Sequence, residues 1–253
     1  MRIAAIADIH GNDLALEAVL ADIEAQAIAT VVNLGDHLSG ALNAARTADI
    51  LIARNFASIR GNHDRWLIEK RPAEMGEWDR TARAQLAARH FEWLASLPET
   101  RVVADQLFLC HGTPHSDTTY WLDDIAPGGT MRISARERIE AFAAGIDFPV
   151  ILCGHTHIAR CVTLADGRLV VNPGSVGCPA YDDDEPVPHT VETGSPHARY
   201  AILEKGPGGW NVDFRLVAYD HMAMSQLAAE RNMASYASAL RSGWLAHAGE
   251  GSR

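Results

Sequence analysis

The sequence predicts an α/β fold of two stacked sheets flanked by helices, with residues 1–247 as one domain and 248–253 as a frayed tail. Three observations predict it. Over the first third of the chain, short apolar runs alternate with stretches of helical period. Beyond residue 158 the pattern becomes rich in strands, separated by Asp166-Gly167 and by Gly206-Pro207-Gly208-Gly209. Five of the apolar runs end in histidine, aspartate or asparagine beside a glycine.

Taken in order, residues 2–7 form a buried strand that stops at Asp8-Ile9-His10-Gly11-Asn12. A helix follows, with Leu16, Val19, Leu20, Ile23 and Ala27 on one face and Asn12 or Asp13 as its cap. Residues 30–34 make a second strand ending at Gly35-Asp36, and an alanine-rich helix spans 41–53. A third strand, 56–59, leads into a tight polar turn, Arg60-Gly61-Asn62-His63-Asp64, where Asp64 can hold the imidazole of His63 in one tautomer. A helix covers 78–97, with Trp78 and Trp93 as core residues. Strands at 101–104 and 107–110 form a hairpin, and the second ends at His111-Gly112. A long loop, 113–133, precedes a capping box at Ser134-Ala135-Arg136-Glu137. The strand at 148–153 ends at Gly154-His155-Thr156-His157. Strands at 158–164 and 168–172, a second long loop at 175–197, strands at 198–205 and 210–219, and a helical tail from 221 complete the chain.

Composition narrows the function. The 253 residues are 47% apolar and 21% charged, ordinary for a globular protein with a single core. The net charge of -10 disfavours non-specific nucleic-acid binding. Cys110, Cys153, Cys161 and Cys178 include no C-x-x-C pair, which points to free thiols in a reducing compartment. Neither a signal segment nor an apolar run of membrane-spanning length is visible, so the expectation is a cytoplasmic protein with no membrane partner.

Five of the 12 histidines stand at strand ends: His10, His63, His111, His155 and His157. Asp8, Asp36 and Asn62 stand there too. In open α/β sheets the carboxyl ends of strands form the functional edge, so these side chains converge. A lone histidine of this kind is commonly a satisfied structural residue; five beside glycines and carboxylates are not. Imidazole with carboxylate suits Zn, Mn, Fe or Ni, and eight such groups exceed what one four-coordinate site needs. Two ions follow.

Asp8-x-His10, Gly35-Asp36, Gly61-Asn62-His63-Asp64, His111-Gly112 and Gly154-His155-Thr156-His157, in that order, resemble the five motifs of the calcineurin-like metallophosphoesterases over about residues 1–177. Asn172-Pro173-Gly174-Ser175 is similar to the pattern of the small bacterial phosphodiesterase branch. The resemblance implies a four-layer αββα sandwich of two mixed sheets with a dinuclear metal site at the strand carboxyl ends. It implies Asp8, His10 and His157 on one ion, Asn62, His111 and His155 on the other, and Asp36 bridging both. It further implies that His63 gives a proton or hydrogen bond to the leaving oxygen and that Asp64 orients it.

The chemistry agrees with that assignment. Two divalent ions about 3.5–4 Å apart can share a hydroxide and bind two phosphoryl oxygens. Two carboxylates leave the ion pair positively charged, so an acidic chain can still attract a phosphate ester. A metallo-β-lactamase-type hydrolase would place aspartate and histidine just after His-x-His, whereas Ile158-Ala159-Arg160 follows here.

The expected function is therefore metal-dependent phosphoric ester hydrolysis, and the branch resemblance favours a small phosphodiester as substrate. The alternatives are a phosphomonoesterase acting on a nucleotide, phosphoprotein or dinucleoside polyphosphate, and a non-catalytic scaffold on the same fold. A scaffold should have lost ligands or His63, and this chain keeps them. Several residues stand outside the pattern. His37 follows Asp36 as a further donor, an extra ligand or a solvent-facing residue. Tyr120 and Trp121 either stack on a substrate or pack their own loop. The acidic run 182–185 is a solvated face, turned away from the metals or gating them.

Overall fold

The computed structural model describes residues 1–246. The chain opens with β1 (Arg2–Ile6), α1 (Asp13–Ala25), β2 (Thr30–Asn33), α2 (Ala44–Arg54) and β3 (Ala57–Ser58). Three helices follow: α3 (Asn62–Glu69), α4 (Glu77–Arg83) and α5 (Ala88–Ser96). Then come β4 (Arg101–Val103), β5 (Leu107–Leu109), β6 (Asp123–Ile125), β7 (Met131–Ile133), α6 (Arg136–Phe142) and β8 (Val150–Leu152). The rest is β9 (Arg160–Thr163), β10 (Leu169–Asn172), β11 (Ala180–Asp183), β12 (His189–Glu192), β13 (Ala198–Gly206), β14 (Gly209–Val217), α7 (His221–Glu230) and α8 (Ala234–Ser242).

Two five-stranded mixed sheets result, in the orders β14-β13-β1-β2-β3 and β4-β5-β8-β10-β9. In the first, β1, β2 and β3 are parallel while β13 runs antiparallel to β1. In the second, β5, β8 and β10 are parallel and β4 and β9 are antiparallel at the edges. The two-residue alternation of a strand decides what lies on each face. Ile3 and Ala5 of β1 meet Leu107, Leu109, Val150 and Leu152 of the other sheet in a shared core. Ala4 and Ile6 face the opposite way, onto Leu16, Val19, Leu20 and Ile23 of α1. On the far side of the second sheet, Ile151 and Val170 pack on Ile139 of α6. The layers are thus helix, sheet, sheet, helix.

Several expectations change. The helix expected over 78–97 is two helices, because His90 Nδ1 accepts the Ala87 amide at 3.1 Å and creates a helix start there. The tight turn at 60–64 is the entry to α3, with Gly61 as N-cap. Ser134 is not a cap: its amide donates to the Leu122 carbonyl, just outside the paired ends of β6 and β7, and α6 starts after Ala135. Both long loops contain hairpins, β6–β7 and β11–β12. The helical tail breaks between α7 and α8 at Asn232, whose φ is 63°. The frayed tail expected over 248–253 lies outside the described residues.

Among the described residues, no helix is long and apolar enough to cross a membrane. All four cysteines are free, and Cys110, Cys153 and Cys178 are buried.

Candidate metal centre

The carboxyl ends of β1, β2, β5 and β8, with the first turn of α3, meet at one edge of the two sheets. The ligand-type atoms of Asp8, His10 and His157 lie within 4.8 Å of one another, and so do those of Asp36, His111 and His155. Asp36 reaches towards both groups, with Oδ2 3.2 Å from His111 Nε2 and 4.0 Å from His10 Nε2. Asn62 is buried beside them, and its Oδ1 has no hydrogen-bond partner.

Backbone geometry brings the groups together. Asp8, His10, Asp36, His155 and His157 all have positive φ, between 51° and 72°. Non-glycine residues avoid this left-handed region unless their surroundings hold them there, and such strain concentrates at functional sites. The strand ends also touch closely: a Cβ on Gly61 would lie 2.2 Å from Asp36 Oδ1. The Asn-Pro-Gly-Ser segment staples the rest. Asn172 Nδ2 donates to Gly154 O at 2.7 Å, and Ser175 Oγ donates to Asp8 O at 2.7 Å.

Three imidazoles are committed through one nitrogen. His10 Nδ1 donates to Ser39 O at 2.7 Å, His111 Nδ1 to Leu34 O at 2.7 Å, and His157 Nδ1 to Cys178 O at 2.9 Å. Each therefore turns Nε2 into the centre. His10 Nε2 and His157 Nε2 stand 3.2 Å apart, and His111 Nε2, though 3.2 Å from Asp36 Oδ2, is not aligned for a hydrogen bond to it. Two bare imidazole nitrogens at that separation repel unless a proton or cation sits by them. With the protein's own charges, protons do so unevenly. Burial opposes charge on His111, yet Asp36 and Asp8 hold it up at about 10. Asp8 likewise raises His157 against burial. Burial and His157 push His10 down to about 4, and burial and His111 push His155 down to about 3. Burial works against the Asp36 charge, but His111 and His63 hold it well below the usual carboxylate range. The donor set, the orphaned Asn62 and His111 atoms and the opposed nitrogens fit two divalent cations.

His63 stands on the rim with Nδ1 2.9 Å from Asp79 Oδ1. The Asp64 carboxylate makes no hydrogen bond to the His63 ring, which pairs with Asp79. Its two oxygens accept the amides of Asp36 at 2.8 Å, His37 at 3.0 Å and Gly61 at 2.9 Å, tying β2 to α3. His37 is fully buried, with Nε2 2.9 Å from Ile59 O and its ring against Trp93, so it faces neither solvent nor the centre.

A cavity of about 850 Å³ opens over His10, Asp36, Asn62, His63, His155 and His157. Trp66, Trp78, Tyr120 and Tyr181 line it, but Trp121 does not; it is buried with Nε1 on Ile139 O at 3.1 Å. Trp78 also packs at a tilt of 38° on Tyr236, 4.5 Å between ring centroids, which makes it both packing and cavity wall. Asp182, Asp183 and Glu185 line the rim, so the acidic run is not turned away. The sequence reading missed Asp79, Trp66 and Tyr181. Trp66 was the most accessible, three residues beyond His63 and hence on the same face of α3.

The family model for the calcineurin-like phosphoesterase superfamily domain matches residues 1–194. A protein of Methanocaldococcus jannaschii is 26% identical over 191 residues, covering 70% of this chain and 76% of that one. The crystal structure of a metallophosphoesterase from Sphaerobacter thermophilus superposes with a TM-score of 0.72 at 27% identity, covering 96% of this chain and 99% of that one. The structure of a putative diadenosine tetraphosphatase shares the fold, with a TM-score of 0.51 at 17% identity over 85% of this chain and 93% of that one. The chain belongs to the calcineurin-like phosphoesterase superfamily, whose members are metal-dependent hydrolases of phosphate esters.

Proposed function

We propose that the protein hydrolyses small phosphodiesters at a dinuclear centre held by Asp8, His10, Asp36, Asn62, His111, His155 and His157. The convergence of six of these side chains in two groups, with Asp36 of one group 4.0 Å from His10 of the other and the buried Asn62 lining the same cavity, carries the reading. Divalent cations held by these residues would supply Lewis acidity towards phosphoryl oxygens and lower the pKa of water towards neutrality. Mn, Fe, Ni and Zn all suit the donors.

His63 is the proton donor to the leaving oxygen. Its Nδ1 proton is directed at Asp79, which leaves Nε2 for the substrate. Burial disfavours its charge, but Asp36 and the Asp79 hydrogen bond together raise its pKa above the ordinary value. Asp79 orients the ring, and Asp64 holds the backbone around it.

Charge around the cavity favours a diester. Lys70 and Arg138 stand on its wall, but Arg138 is tied to Asp124 at 3.2 Å. Asp182, Asp183 and Glu185 on the rim repel additional negative charge. A diester carries one negative charge, a monoester up to two and a dinucleoside polyphosphate more. The volume also leaves room for an organic group on each side of the phosphorus. Retention of His63 with all seven ligand candidates weighs against a non-catalytic scaffold.

Sheet completion by β13 and β14, beyond residue 194, supports one domain throughout the described chain. The free thiols support a reducing, cytoplasmic compartment. One experiment tests the function: measure bound metals, then assay aryl diesters, aryl monoesters, cyclic nucleotides and dinucleoside polyphosphates with added Mn. Diesters should turn over fastest. Two bound ions without turnover of any substrate would instead mark a scaffold.

A further inference from the structure

We propose that Tyr120 and Tyr181 act as one positioning unit that holds His155 and His157, one imidazole from each ligand triad, at a fixed separation. The inference rests on the dinuclear reading above. Each tyrosine ring meets one of the two imidazoles. Tyr120 lies 4.9 Å from His155 between centroids at 61°, and Tyr181 lies 4.7 Å from His157 at 60°. Such edge-to-face contacts fix the plane of a ring as well as its position. The tyrosines are joined to each other, with their hydroxyl oxygens 2.7 Å apart. One rigid pair thus spans the two triads.

The direction of the hydrogen bonds follows from the far end. His189 Nδ1 lies 2.8 Å from Val187 O, and a carbonyl can only accept, so Nδ1 carries the proton. In the neutral ring Nε2 is then an acceptor, and Tyr120 donates to it at 2.9 Å. With its proton used, the Tyr120 oxygen accepts from Tyr181. The chain runs from Tyr181 to Tyr120 to His189 to the Val187 carbonyl. Both hydroxyl protons are spent within it, so neither tyrosine serves the substrate as an acid. Tyr181 and His189 lie on opposite strands of the β11–β12 hairpin, and Tyr120 precedes β6. The unit therefore ties two hairpins over the centre. His155 and His157 are both left-handed, at φ 72° and 59°, a conformation that needs such external support.

The test is calorimetric titration of the metal-free full chain with Mn, alongside the spectrum of the Mn-loaded protein. Tyr181→Phe keeps the ring and removes the donor. It should weaken Mn affinity about tenfold, in the range seen when groups behind metal ligands are removed. The metal-free melting temperature should stay at the wild-type value. Tyr181→Ala, which also removes the ring contact, should weaken affinity further and alter the spin-coupled signal of the paired ions. Thr190→Ala, an exposed position in the same hairpin, should bind as wild type does. Wild-type affinity in both tyrosine variants overturns the proposal while leaving the dinuclear reading intact. An equal loss in Thr190→Ala, or a loss matched by a lower metal-free melting temperature, also overturns it. A wild-type protein that binds fewer than two ions overturns the dinuclear reading and this proposal with it.

Discussion

Asp79 Oδ1 lies 2.9 Å from His63 Nδ1, and the same oxygen accepts Ser39 Oγ at 2.6 Å. The carboxylate that aims the rim histidine thus comes from α4, not from the neighbouring Asp64. Asp79→Ala should lower kcat by about 10- to 100-fold, part of what a general acid supplies. Metal content should be retained and KM little changed. Unchanged kcat would remove Asp79 from the mechanism.

Asp64 has a different task. It satisfies three backbone amides, and Asp64→Ala would leave buried donors at Asp36, His37 and Gly61 without their partner. The expected loss is at least about 3 kcal/mol, since each of the three buried unsatisfied groups costs about 1–3 kcal/mol. Urea unfolding measures it. A wild-type midpoint with reduced turnover would instead give Asp64 a direct part in the chemistry.

The His63–Asp79 pair also predicts a pH window for the metal-free protein. Burial raises the Asp79 carboxyl, but the His63 hydrogen bond and charge outweigh it and leave the pKa below its usual value. Burial lowers His63, but Asp36 and Asp79 raise it further. The pair's stabilisation is fully present between the unfolded pKa values, about 3.9 and about 6.5. It is lost on acidification through Asp79's lowered folded pKa, and on alkalinisation through His63's raised one. The stability difference between wild type and Asp79→Asn should therefore peak in that window. A difference independent of pH would contradict the coupling.

Removal of metal should abolish turnover and lower stability together. Ions that bind the native state alone stabilise it by about 2.7 kcal/mol per site at a hundredfold excess over Kd. Chelation should lower the melting temperature, and Mn should restore both properties. Asp36→Asn should lose metal and activity in parallel. Full occupancy of both sites in that variant would contradict a bridging Asp36.

Much of this centre was legible because its residues follow apolar runs. Asp8, His10, Asp36, His111, His155 and His157 each stand a few residues past a strand, where neighbouring sequence shows the context. Asp79 offers no such sign. Between Trp78 and Arg80, it resembles any carboxylate near the start of a helix, and its role depends on how α4 packs beside α3. Tyr181 was hidden for another reason. Its strand reads Ala-Tyr-Asp-Asp, poor in β-branched residues, and tertiary pairing with β12 makes it a strand. Aromatic type alone cannot separate Trp121 in the core from Trp66 on the cavity wall.

β1, the strand that delivers Asp8 and His10, lies between β2 and β13, with Ile3 opposite Leu203. During translation the ribosome releases Ile3 long before Leu203. Until then one flank of β1 presents bare amide and carbonyl groups, a template for wrong partners. A truncation at residue 194, where the family match ends, would keep every candidate ligand yet strip the brace beside two of them. Assembly of the centre is thereby linked to synthesis through β13, about 190 residues beyond His10.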